Sequence, residues 1–169
     1  NYGGMSYMHT LRLLDNIRSP NLRLVFDTGN PVFTDHRLGP TPYRKQSSWE
    51  FYANIRDWIH YVHIKDGRYI GESDNIFPEV EYTFPGQGDG DVARIVEDLL
   101  QRGYDGGFSI EPHLAVVHHD DSVQSVDRVR YASYVEYGRR FMRLVEAVRD
   151  KPARSRGRPP TFDTGIAPW

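Results

Sequence analysis

The sequence predicts an α/β fold in which parallel strands are joined by helical crossovers. Two observations predict it. Short apolar or aromatic runs alternate along the chain with segments whose apolar residues recur at helical spacing. Each short run also ends in a loop rich in Gly, Asp or Pro, as a strand does before a crossover returns the chain to pair in parallel.

In chain order, Met8, Leu11, Leu14 and Ile17 recur at three-residue steps between Met5 and Ile17, predicting a helix with these four on its buried face. Ser19-Pro20-Asn21 breaks it, and Leu22 to Phe26 predicts a strand that ends at Asp27-Thr28-Gly29-Asn30-Pro31. The stretch to Gln46 holds Pro31, Gly39, Pro40 and Pro42 and reads as a long irregular connection. Ser47 with Glu50 forms a capping-box pattern, and Phe51, Ile55, Trp58 and Ile59 share one helical face behind it. Tyr61 to Ile64 predicts the second strand, and the glycines and prolines from Gly67 to Gly90 a second long loop. Val92, Ile95, Val96, Leu99 and Leu100 match the helical template, with Gly103 as the stop. Gly107 to Ile110 is the third strand, left through Glu111-Pro112-His113, and Tyr134 to Val148 carries a long final helix.

Composition narrows the function. A chain of 169 residues with 38% hydrophobic content supports one globular domain, assigned to residues 1–149. Residues 150–169 carry Lys151, Arg154, Arg156 and Arg158 among prolines and glycine and are expected to form a disordered basic tail. A net charge of -2 argues against nucleic acid as partner, and no apolar run is long enough for a membrane span. Without cysteine, any metal must sit on His, Asp, Glu or water. The expected compartment is the cytoplasm, although the opening on Asn1-Tyr2-Gly3-Gly4 reads as a loop entered from something upstream.

Parity along the strands then singles out three residues. Side chains alternate faces, so Asp27 opposes Leu24 and Phe26's face, His63 opposes Val62 and Ile64, and Glu111 opposes Phe108 and Ile110. If the apolar pairs pack on helices, all three polar residues project inward at the C-terminal ends of neighbouring strands, where barrel enzymes keep their active sites. Asp27, His63 and Glu111 lie 36 and 48 residues apart, one per strand–helix unit. One imidazole and two carboxylates suit Mn²⁺, Co²⁺, Mg²⁺ or Zn²⁺. Taken singly, each has an ordinary structural reading as a loop cap, a hydrogen-bonded histidine or an ion-paired glutamate.

The runs Leu24-Val25-Phe26-Asp27-Thr28-Gly29-Asn30, Tyr61-Val62-His63-Ile64-Lys65-Asp66-Gly67, Pro85-Gly86-Gln87-Gly88-Asp89-Gly90 and Gly103 to Pro112 resemble, in order, the last three strands of the xylose isomerase-like sugar isomerases and epimerases. That resemblance implies a (β/α)8 TIM barrel of which this chain is the C-terminal half. It implies that Asp27, His63 and Glu111 bind the metal and that Glu111 also exchanges a proton with the sugar carbon through an enediolate. The family's fourth ligand, a Glu, would lie immediately ahead of Asn1, so this stretch alone is expected to be inactive.

The same match makes Asn30, Lys65, Arg68 and His113 expected substrate contacts: Asn30 stands where many epimerases carry a histidine, Lys65 and Arg68 could meet a hydroxyl or phosphate oxygen, and His113 lies near the pocket mouth. Asp66 is expected to orient a neighbour or bind a backbone amide, while His118 and His119 are loop residues. The Gly86 to Gly90 stretch reads as a loop shaping the mouth, with phosphate cradling as the alternative. Expected partners are a small-molecule sugar or sugar phosphate and the missing N-terminal half of the same barrel, with a homo-oligomer left open. Two rival functions stand beside the isomerase or epimerase: a non-catalytic sugar- or partner-binding barrel, and an apurinic endonuclease-like metal hydrolase, for which the Gly67 to Gly90 stretch lacks further histidines.

Overall fold

The computed structural model describes residues 6–72, 79–114 and 127–150. Readings of residues 1–5, of His118 and His119, and of the tail from 151 onward lie outside them.

Helix α1 spans Tyr7–Ile17 behind Ser6, whose backbone N–H donates to His9 Nδ1 at 3.1 Å, so a histidine fills the place of the usual capping-box glutamate. Its buried face differs from the sequence expectation. Leu14 is buried and Tyr7 and Leu11 pack on the core, whereas Met8 and Ile17 are 46% and 48% exposed. The reason is helical pitch. Three-residue steps drift around a helix of 3.6 residues per turn, while the spacing i, i+4, i+7 of Tyr7, Leu11 and Leu14 stays on one side.

Three strands, β1 (Leu24–Asp27), β2 (Ile59–Ile64) and a later one, Gly107–Ile110, form one parallel sheet with β2 in the middle. Between β1 and β2 lies α2 (Ser48–Ile55), whose cap Ser47 accepts the Glu50 N–H, followed by a single 3₁₀ turn at Arg56–Trp58. After β2 the chain makes an antiparallel hairpin, β3 (Gly67–Gly71) and β4 (Glu79–Tyr82). This corrects the expected loop: with glycines at both ends of a five-residue strand, the alternation is too short to stand out. Helix α3 (Val92–Gln101) ends at Gly103, whose φ of 80° is the left-handed stop that glycine permits. The strand Gly107–Ile110 is β5, and α4 (Asp127–Arg149) completes the order.

Register sorts the two faces of the sheet. Phe26, Val62 and Phe108 align in one row and Asp27, His63 and Ser109 in the next. The first row faces the helices: Phe26, Val62 and Ile64 form the core with Phe51, Tyr52 and Ile55 of α2, Val92, Ile95, Val96 and Leu99 of α3, and Tyr137, Phe141 and Val148 of α4. The other face is open, with Val25 and Tyr61 50% and 37% exposed. Parallel strands with helices on one side and side chains projecting from the other are the arrangement of an arc of a barrel wall. Among the described residues no helix is long and apolar enough to cross a membrane.

Candidate metal centre

Asp27 and His63 are register partners at the ends of β1 and β2, and Glu111 follows β5 on the same parity, its N–H donating to Ile64 O at 2.9 Å. Each offers one ligand atom, and the three atoms lie within 4.8 Å of one another. All three side chains thus project from one side of the sheet, the side away from the helices.

Local chemistry fixes the Asp27 carboxylate. Its Oδ1 accepts the amides of Gly29 at 2.9 Å and Asn30 at 2.8 Å, which turns Oδ2 toward the shared point. Thr28 stitches the two strand ends together: its hydroxyl donates to Lys65 O at 2.6 Å and accepts the Lys65 N–H at 3.1 Å. Ser48, at the start of α2, donates to Thr28 O at 2.6 Å and so ties the helix to the same corner.

Lys65 is buried rather than a solvated loop charge. Its ammonium lies 3.0 Å from Asp27 Oδ2, 2.7 Å from Glu111 Oε2 and 3.1 Å from Asn30 Oδ1. His63 Nδ1 approaches the same Glu111 oxygen at 3.8 Å. The two carboxylates titrate as a pair. Burial, and then the hydrogen bond with Glu111, raise Asp27 to about 6 against the pull of Lys65 and the Asn30 amide. Burial pushes Glu111 up too, but its hydrogen bond with Asp27 and the hydrogen bond and charge of Lys65 outweigh it and hold Glu111 at about 2.

The other expected contacts divide. Asn30 joins the cluster through Lys65. His113 stacks on Tyr82 with ring centroids 4.7 Å apart, and Tyr82 meets Phe33 edge-on at 5.1 Å, so the hairpin, the loop after β1 and the exit of β5 form an aromatic wall. Burial raises the Tyr82 phenol, which also senses Lys65, Asp27 and Glu111 and therefore sits within reach of their field. Arg68 instead donates to Gln87 O at 2.6 Å and faces Glu81 at 3.8 Å, committed to the hairpin and its neighbouring loop. Tyr82 and Phe33 carried no sequence signal, because the hairpin that aligns them was not visible.

Asp66 answers the question of the glycine loop. Its Oδ2 accepts the amides of Gly86 at 2.8 Å and Gly88 at 3.0 Å, and its Oδ1 those of Gly67 and Gly90, both at 2.9 Å. Burial pushes this carboxyl up while the four amides pull it down. The amides that could have cradled a phosphate are taken by the protein's own carboxylate.

The donor set suits a divalent cation. One imidazole and two carboxylates converge on one point at the strand ends.

Comparison with known proteins agrees with this architecture. The family model described as xylose isomerase-like TIM barrel matches residues 1–132. Among solved structures, the chain is similar to a xylose isomerase domain protein from Planctomyces limnophilus, with 17% identity and a TM-score of 0.60 over 87% of this chain and 44% of that one. It is also similar to a xylose isomerase-like TIM barrel protein from Mycobacterium smegmatis, solved in complex with magnesium, with 16% identity and a TM-score of 0.58 over 85% of this chain and 40% of that one. The chain thus spans less than half the length of either structure. No curated protein matches it significantly. With a parallel β/α arc, polar residues gathered at its strand ends and a family match over most of its length, this chain belongs to the xylose isomerase-like TIM barrel family.

Proposed function

We propose that the complete protein is a divalent-metal-dependent isomerase or epimerase of sugars or cyclitols, working by proton transfer next to a carbonyl. The observation that carries this reading is the convergence of Asp27, His63 and Glu111 within 4.8 Å at the ends of three parallel strands. Those three residues would hold the ion, Asp27 through Oδ2 because Oδ1 is occupied by two amides. A bound divalent ion supplies a Lewis acid for the carbonyl and neighbouring hydroxyl oxygens of the substrate.

The chain's own residues supply the rest. Glu111, at the same strand end as the other two groups, is the carboxylate placed to accept the proton from the carbon next to the carbonyl. Lys65 and Asn30 offer polar contacts to substrate hydroxyls, and Tyr82 with His113 gives a flat aromatic surface for the C–H face of a sugar. Return of the proton to the opposite face needs a second acid–base group in the complete protein.

Exchange of the substrate's carbon-bound proton with deuterated solvent tests this directly. Across a panel of ketoses, aldoses and inososes, the complete wild-type protein should show metal-dependent exchange, and Glu111→Gln should abolish it while retaining substrate affinity. Undiminished exchange in the variant would remove Glu111 from the acid–base role.

A further inference from the structure

The Lys65 ammonium and a metal ion would require the same two oxygen atoms. Asp27 Oδ1 is spent on the Gly29 and Asn30 amides, which leaves Oδ2, and Oδ2 is 3.0 Å from Lys65 Nζ. Glu111 Oε2 lies 2.7 Å from the same nitrogen and is the oxygen nearest His63 Nδ1, so it points at the centre of the ligand set. We propose that Lys65 is a built-in competitor for the metal centre: a divalent cation enters by displacing its ammonium from Asp27 and Glu111, and Asn30 retains the displaced ammonium beside the site. This inference rests on the metal-dependent reading above.

The surroundings of Lys65 allow that exchange and limit its range. An ammonium has three donors, and here three oxygens meet them, those of Asp27, Glu111 and Asn30. Losing the first two to a metal leaves the Asn30 carbonyl oxygen as the remaining partner. The root of the side chain is fixed, since Thr28 holds both the N–H and the carbonyl of Lys65. The stem is fixed as well: it passes so close over Gly29 that a Cβ there would stand 2.7 Å from Lys65 Cγ. Only the terminal methylenes can swing, so the displaced ammonium stays within the site as a second cation next to the substrate oxygens.

The energetic consequence has a definite sign. With Lys65 in place, the buried Asp27 carboxylate and the half-buried Glu111 carboxylate are already neutralised in part, and a divalent ion must overcome both that pairing and repulsion by a cation a few ångströms away. Lys65 therefore weakens metal binding and makes the ion exchangeable. A lysine that merely supported the ligands would strengthen binding instead.

Manganese titration of the complete protein, followed by the electron paramagnetic resonance of free Mn²⁺, separates these cases. Lys65→Met should lower the Mn²⁺ dissociation constant by roughly tenfold or more, and Lys65→Arg, which keeps the cation, should bind no tighter than wild type. Metal-free Lys65→Met should also melt earlier than wild type and gain more in Tm on adding Mn²⁺, because its carboxylates have lost their counter-charge. Should the methionine variant not fold, Lys65→Gln, which retains hydrogen bonding without charge, carries the same comparison. Equal or weaker Mn²⁺ affinity in the uncharged variants overturns the exchange while leaving the metal-dependent function standing. Absence of Mn²⁺ binding in wild type and variants alike overturns both.

Discussion

The Gly88 amide donates to Asp66 Oδ2 at 3.0 Å, and a Cβ placed on Gly88 would collide with Oδ1 of the same carboxylate. The hydrogen bond and the missing side chain are two parts of one requirement: a loop can wrap a carboxylate this closely only if the residue at closest approach has no side chain.

Gly88→Ala should accordingly destabilise the protein by about 1–3 kcal/mol, because the Cβ also meets the backbone N and O of Gly67, which cannot move aside as a flexible side chain would. Asp66→Asn keeps the shape but turns an NH₂ group toward amide donors, and should cost a similar amount, about 1–3 kcal/mol. Urea unfolding checks both. A change within error of zero for either would mean that the loop is held by something other than Asp66.

Removing a candidate ligand should weaken the hold on the metal. Replacing a residue that merely orients a metal ligand typically costs 10–100-fold in affinity, so Asp27→Ala and His63→Ala should each weaken Mn²⁺ binding by at least roughly tenfold. Isothermal titration calorimetry on the complete protein measures it. Retention of wild-type affinity in His63→Ala would place the ion elsewhere.

How much of this was legible in the sequence follows from what a sequence can encode locally. Strand parity is local, so Phe26 against Asp27 and Val62 against His63 could be assigned to faces before any coordinates. The boundaries of β5 and the cap at Ser47 were likewise legible, because apolar alternation and a side chain three residues from its amide partner lie within one short window. Helix α1 was legible as a helix but not in its facing, since Met8 and Ile17 satisfied a step that the helix does not keep. Contacts across twenty or more residues left no such mark. Asp66 reaches Gly86 and Gly90 through side chain-to-backbone bonds that have no period, and Lys65 could not be told from a loop cation until β1 and β2 were paired.

Alkaline stability should be set by two buried phenols. Burial, then Asp98 by hydrogen bond and charge, raise Tyr52, and burial first of all raises Tyr137. The native state thus favours the neutral phenol. Their contribution is complete below the unfolded tyrosine pKa of about 10 and is lost as pH climbs above it toward the raised native values. The urea midpoint should fall between roughly pH 10 and 12, and Tyr52→Phe, about 1 kcal/mol less stable near neutrality, should fall less steeply. A variant whose alkaline slope matches wild type would clear Tyr52 of that role.

The hairpin should depend on its aromatic seam. Tyr82 contacts Phe33 and His113 at once, and such pairs contribute about 0.5–1.5 kcal/mol each beyond area burial. Tyr82→Ala should speed hydrogen–deuterium exchange of the β3 amides by roughly tenfold or more, leaving those of β2 unchanged. Equal acceleration in both strands would show that the hairpin opens only with the whole sheet.

The register of the three strands carries one more implication. Asp27 pairs with His63 and His63 with Ser109, yet the third ligand-bearing position is Glu111, two residues farther along. Crossing two strand-to-strand steps, the line through the site has climbed two residues. A closed barrel of eight strands with a shear of 8 imposes a stagger of about one residue per strand, because its strands tilt about 36° to the axis. The ligand line therefore runs around a circumference rather than along a row of hydrogen-bonded neighbours, so that the offset of Glu111 from Ser109 already encodes the tilt at which further strands would have to join this arc.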